Sequence, residues 1–89
     1  IRFCVAGTRL MDCNEVTAEP RSRADSATTH EGEEFVYVVE GEIRLTVGGN
    51  DYLLGPGDTA YYAAITPHQW FNDSDQPARF LFVGTPPSF

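Results

Sequence analysis

Turn signals break this chain roughly every 6–12 residues, and no segment between them has the length or spacing of an amphipathic helix. Between the Gly, Pro, Asn and Asp clusters lie short runs of β-branched, aromatic and alternating residues, which pack well on a pleated surface. Glu42-Ile43-Arg44-Leu45-Thr46-Val47 alternates strictly and turns Ile43, Leu45 and Val47 to one buried face. Strands this short, separated by turns this dense, restrict the fold to an all-β sandwich or barrel. The 89 residues suffice for one domain, 1–89, with no internal repeat and no linker to divide it.

Taken in order, strands are expected over 1–6, closed by Gly7-Thr8, and more weakly over 10–18. Residues 19–27 are polar and read as a loop or an irregular edge. Strands follow at 35–39, 42–47, 52–54, 60–63, 68–72 and 79–83. The turns between them are 48–51, Gly55-Pro56-Gly57-Asp58, the Ile65-Thr66-Pro67 bend and 73–77.

One stretch, TTHEGEEFVYVVEG from Thr28 to Gly41, carries chemistry as well as strand signal. Fully extended, His30 and Glu34 would lie about 13 Å apart at about 3.3 Å per residue. Two ligands of one metal lie only about 3 Å from each other. The chain must therefore turn between them, and Glu31-Gly32-Glu33 is the place, because Gly tolerates positive φ. On this reading His30 ends one strand, Glu34 begins the next, and the two face each other across a hairpin.

Charge and composition exclude several functions. A net charge of −7 argues against direct nucleic-acid contact by this domain, since phosphate binding needs clustered cations. All six basic residues are Arg, so Schiff-base chemistry and a phosphate-binding P-loop are ruled out. No apolar run approaches the roughly 20 residues of a membrane span, so the domain is read as soluble, cytoplasmic and without a membrane partner. Cys4 and Cys13 could pair if a hairpin carries them at its ends. With no signal-peptide pattern, two cysteines more often mean reduced cytosolic thiols. A domain this small buries only about 60–65% of its unfolded surface, which favours a homodimer.

The two histidines are the only ones in the chain. Alternation puts His68, Trp70 and Asn72 on one strand face, and Glu34 on a face with Val36 and Val38. Both faces point inward, and an ionised carboxylate is seldom buried alone. Two readings stay open. Glu34, His30 and His68 can form the two-imidazole, one-carboxylate set of a non-haem Fe site, which Zn, Mn or Ni also suits. Alternatively Glu34 lies near a barrel rim, solvated or paired with Arg44 or Arg79, and the histidines bond backbone or water. Trp70, Tyr37, Tyr61 and Tyr62 can line an apolar pocket or serve as core or dimer interface. Asn72 can orient a ligand or bond the turn that follows it.

Thr28-x-His30-x3-Glu34-x6-Gly41 resembles the first motif of the cupin family, and Gly57-Asp58 through Pro67-His68-x3-Asn72 resembles the second. The resemblance covers most of residues 28–72 and implies a small cupin-type double-stranded β-helix, a jelly-roll barrel. It implies metal ligands His30, Glu34 and His68 in the barrel mouth, with Thr28, Val36, Trp70, Tyr61 and Asn72 about the ligand pocket. Thr28 stands where the family carries its first metal histidine, so a four-ligand site is not available. Ala63 and Ile65 replace the usual Pro and Gly before the last histidine, which leaves Pro67 to build the bend.

HEGEEFVYVVEGEIRLTVGG, YLLGPGDTAYY, TPHQWFN and the terminal TPPSF are similar, more closely, to the C-terminal cupin of bacterial regulators. In those regulators a xenobiotic-response-element-type helix-turn-helix precedes the cupin. That resemblance implies sensing of a small-molecule effector and dimerisation, with any divalent metal (Fe, Zn, Ni or Mn) holding an anionic effector. A chain opening at Ile1 agrees with a piece of such a protein. The alternative is a metal-dependent cupin enzyme, most simply a mononuclear iron oxygenase. A metal-free isomerase or storage cupin, or a plain dimerisation module, is a third reading. No histidine or lysine is left over to act as a base, which moves the balance toward sensing and leaves catalytic residues unassigned.

Overall fold

The computed structural model describes residues 2–3 and 11–86, and in it nine strands build two antiparallel sheets. One sheet holds β1 (Arg2–Phe3), β2 (Asp12–Ala18), β9 (Ala78–Thr85), β4 (Glu33–Glu40) and β7 (Thr59–Ala63), side by side in that order. The other holds β3 (Ser22–Arg23), β8 (His68–Asn72), β5 (Ile43–Val47) and β6 (Asn50–Leu54). From β2 onward the chain changes sheet at every strand except the β5–β6 hairpin. That winding makes the all-β jelly roll, a double-stranded β-helix, with no helix among the described residues.

Alternation decides what faces the core. Along β4 the burial pattern is strictly two-fold, with Glu34, Val36 and Val38 inside and Glu33, Phe35 and Tyr37 outside. From the facing sheet come Ile43 and Leu45, and Phe80 of β9 closes the centre. Val47, Ala60, Tyr62, Trp70 and Phe82 pack against this core.

The strand at 68–72 lies where its alternation places it, and the strand expected over 42–47 forms β5 from Ile43 onward. β6 starts at Asn50, because the turn is just Gly48-Gly49, with φ of 58° and 82°. Two consecutive left-handed residues give the tight hairpin connection whose twist matches its strands. The expected irregular edge over 19–27 holds the two-residue β3, paired to Phe71 and Asn72. Of the strand expected over 1–6, β1 is described; Cys4 and the Gly7-Thr8 turn lie outside the described residues, as does any bond between Cys4 and Cys13.

The hairpin reading of His30 and Glu34 is corrected. Both edges of β4 are taken, by β7 and by β9, so the preceding segment has no edge to pair with. That segment bonds elsewhere: Thr28 exchanges backbone hydrogen bonds with His68 at 3.0 and 3.1 Å. The His30 amide then donates to the Ala64 carbonyl, also at 3.0 Å. The chain crosses to the other sheet at Gly32, φ 103°, where an added Cβ would lie 1.4 Å from the Thr85 carbonyl oxygen. Only glycine fits so close an approach.

Candidate metal centre and the cavity beside it

Three strand ends deliver the site. β4 carries Glu34 in its second position, β8 opens with His68, and the crossing at Gly32 returns His30 over both. Each has one ligand atom within 4.8 Å of the other two. Glu34 is 3% exposed and His68 6%, while the His30 side chain, 37% exposed, closes the opening.

The backbone fixes the tautomers. His30 Nδ1 lies 2.9 Å from the Glu31 carbonyl and His68 Nδ1 lies 2.8 Å from the Thr66 carbonyl. A carbonyl only accepts, so each Nδ1 carries a proton and each neutral ring aims its Nε2 lone pair inward. His68 Nε2 stands 2.9 Å from Glu34 Oε1, and His30 Nε2 meets Glu34 Oε2. Lone pairs do not bond carboxylates, so a proton shared between ring and carboxylate, or a metal, must lie between them. Ring N–H groups held by carbonyls are the outer-shell arrangement of metal-bound histidines, and this donor set fits a divalent ion.

In the metal-free protein His30 holds its proton more tightly than a free imidazole does. Burial alone would pull its imidazolium down, but the Glu31 carbonyl and the Glu34 carboxylate outweigh it and hold the group above its ordinary 6.5. The two arginines offered as partners for Glu34 do not reach it. Arg44 bonds Asp73 at 2.7 Å, stacked on the Phe71 ring, and Arg79 bonds Glu40 at 2.9 Å. With Glu34 also buried from solvent, the rim reading of Glu34 fails, while the backbone bonds it gave the histidines are present at both Nδ1 atoms.

Thr28 lies opposite His68, with its Oγ1 3.0 Å from the ring Nε2. Beside this pair is a cavity of about 140 Å³, walled by Val36, Leu45, Trp70, Phe80 and Phe82, with Ser26, Gln69 and Tyr62 adding polar atoms. Of the five residues expected about a ligand pocket, Thr28, Val36 and Trp70 line this cavity; Tyr61 and Asn72 do not. Tyr61 is 67% exposed on the outer face of β7, its hydroxyl donating to Glu33. Asn72 is inward but fully employed: its amide nitrogen lies 2.9–3.1 Å from the carbonyls of Ala18, Glu19 and Gln76, and its oxygen accepts from Ser74.

The neighbour of Tyr61 is the tyrosine that reaches Glu34. Tyr62 stands opposite Glu34 in the β4–β7 register and donates its hydroxyl to Glu34 Oε1 at 2.8 Å. Burial first, and then the carboxylate, push its phenol far above the ordinary range, so it stays a donor. Consecutive tyrosines point to opposite faces, and which one faces inward follows from the pairing of β7 with β4.

Over residues 14–84 the chain matches the Cupin domain family, and it belongs to that family. Within it, the chain is 36% identical over 73 residues to the HTH-type transcriptional regulator PuuR of Escherichia coli (strain K12), an alignment covering 82% of this chain and 40% of the regulator. It thus spans about two fifths of the length of the curated relatives it matches. Among solved structures, the cupin domain of an XRE-family transcriptional regulator from Enterobacter cloacae superposes with a TM-score of 0.80 at 27% identity, covering 89% of this chain and 84% of that one. A cupin-superfamily sugar phosphate isomerase from Silicibacter pomeroyi superposes with a TM-score of 0.79 at 34% identity, covering 91% of this chain and 54% of that one. This is a cupin related to regulator cupins. No helix among the described residues is long and apolar enough to cross a membrane.

Proposed function

We propose that residues 1–89 form the small-molecule-sensing and dimerising cupin domain of a longer, cytoplasmic bacterial transcription regulator. His30, Glu34 and His68 hold a divalent metal (Fe, Zn, Ni or Mn), and the effector enters the adjoining cavity. The metal supplies a positive charge and open positions to an anionic effector; Thr28 and Tyr62 orient it, and Trp70 and Phe82 hold its apolar part. A cavity of about 140 Å³ admits a molecule close to benzene in size, since roughly 150 Å³ takes one benzene ring. DNA contact belongs to other parts of the regulator.

The observation that carries sensing over catalysis is the cavity wall. Among the described residues it contains no carboxylate, lysine or cysteine, its one histidine, His68, is taken up by the proposed metal, and Glu34 behind it is committed to the two imidazoles. A proton-transfer step would have no base of its own. The regulator relatives support the same reading.

Protein purified without chelator is expected to carry close to one metal per chain by elemental analysis, and His30→Ala or His68→Ala to lose it. Wild-type protein that stays metal-free after incubation with Fe(II), Mn(II), Ni(II) and Zn(II) overturns the metal centre. A second reading, a metal-dependent enzyme such as a mononuclear iron oxygenase, is favoured by the two-imidazole, one-carboxylate set, which leaves coordination positions open. Oxygen consumption by the iron-loaded protein with small organic acids would establish that reading. Effector-dependent stabilisation without turnover would establish sensing.

A further inference from the structure

A second opening into the barrel lies where the two sheets end without meeting. β6 is the last strand of one sheet and β7 the last of the other, and no ladder joins them among the described residues. The cleft between them has a volume of about 290 Å³, twice that of the cavity beside His68. Val47 and Leu54 wall one side and Ala60 the other; Tyr52 and Tyr61, 49% and 67% exposed, stand at the lips. Leu45 and Tyr62 line both cavities, so they form the partition between them.

We infer that this cleft is a second binding site, for an uncharged, flat apolar molecule of about two aromatic rings. Three observations fix that class. None of the described lining residues is charged, although the chain carries a net −7, so an ion would lose its hydration here without a partner. The volume is roughly twice the 150 Å³ that accepts one benzene ring. The lips are the exposed rings of Tyr52 and Tyr61, and tyrosine rings pack best on a flat aromatic partner. A strand or a second copy laid along the edges would cover the lips but leave the volume behind them unfilled, forfeiting contacts. The occupant touches Tyr62 from the side opposite the His68 cavity, so the Tyr62 hydroxyl on Glu34 links the two sites.

Titrating ¹⁵N-labelled protein with indole, metal-free and metal-loaded in parallel, tests this apart from the metal proposal. Saturable amide shifts are expected at Tyr52, Leu54, Thr59, Ala60 and Tyr62, with the Trp70 indole moving little. Tyr52→Ala at the exposed lip is expected to weaken indole about fivefold, the loss of one aromatic contact. Ala60→Leu, which fills the cleft, is expected to abolish binding. Should Ala60→Leu fail to fold, the exposed Tyr52 position decides. Shifts centred on Trp70 and His68, or shifts that never saturate, overturn the proposal. So do β6 and β7 signals that follow protein concentration without indole, which would mean that a second copy covers the seam.

Discussion

Glu34 is approached by two imidazoles and a phenol, and the phenol is the contact with the plainest experimental consequence. Tyr62→Phe keeps the ring and its packing but removes the hydroxyl that holds Glu34 Oε1 at 2.8 Å. Outer-shell hydrogen bonds of this kind are worth about 10–100-fold in metal affinity. The variant is expected to bind metal at the same stoichiometry but at least about tenfold more weakly in a chelator competition. Unchanged affinity would mean that the imidazoles alone position the carboxylate. His30 gives a pH signature in chelator-treated protein, where it faces Glu34, the His68 ring and the Glu31 carbonyl. Its pKa is raised in the fold, so its stabilising charge is complete below the unfolded value of 6.5 and is lost as pH rises through the folded value. The melting temperature of metal-free wild-type protein should therefore fall above about pH 6.5 more steeply than that of His30→Gln. Parallel curves would remove the His30 charge from the account.

At the scale of the strand, β8 shows how one element can be legible in outline and misleading in detail. Its alternation gave His68, Trp70 and Asn72 a common inward face, and all three have it, yet the strand serves two purposes along its length. The His68 end meets the ligands, while the Asn72 end clamps the β2–β3 and β8–β9 connections. Asn72→Leu leaves those carbonyls and the Ser74 amide without their partner and is expected to cost about 2–4 kcal/mol in denaturant unfolding. Metal stoichiometry should be unaffected; loss of metal with intact stability would return Asn72 to the pocket. β7 was harder to read for a different reason. Ala60 to Ala63 is too uniform to show which tyrosine turns inward, and the answer lies in its register with β4, a contact 28 residues away in sequence. The hairpin pairing over 30–34 fails on the same ground, although the turn at Gly32 and the approach of His30 to Glu34 stand. Its glycine was visible, but the occupation of both β4 edges belongs to the assembled sheet.

The whole molecule depends on the site more than a larger protein would. The 89 residues build a thin core and bury Glu34 and His68 within a few strand positions of it. Net stability for a chain of this length is expected near the lower end of the usual 5–15 kcal/mol. Without a metal, part of that stability is spent keeping a carboxylate and two ring nitrogens together out of water. A metal that binds the folded site and not the unfolded chain adds free energy by mass action, about 2.7 kcal/mol at one hundred times its dissociation constant. For a domain of this size each kcal/mol moves the melting temperature by roughly 4–8 °C. Saturating metal should thus raise the melting temperature of the wild type by roughly 10–20 °C, read by calorimetry on chelator-treated and reloaded protein. His68→Ala should lose the shift, while Asn72→Leu should melt lower yet keep it, because its defect lies away from the ligands. A wild type that melts at one temperature with and without metal would make the His30, Glu34 and His68 cluster a hydrogen-bonded plug of the barrel mouth rather than a metal centre.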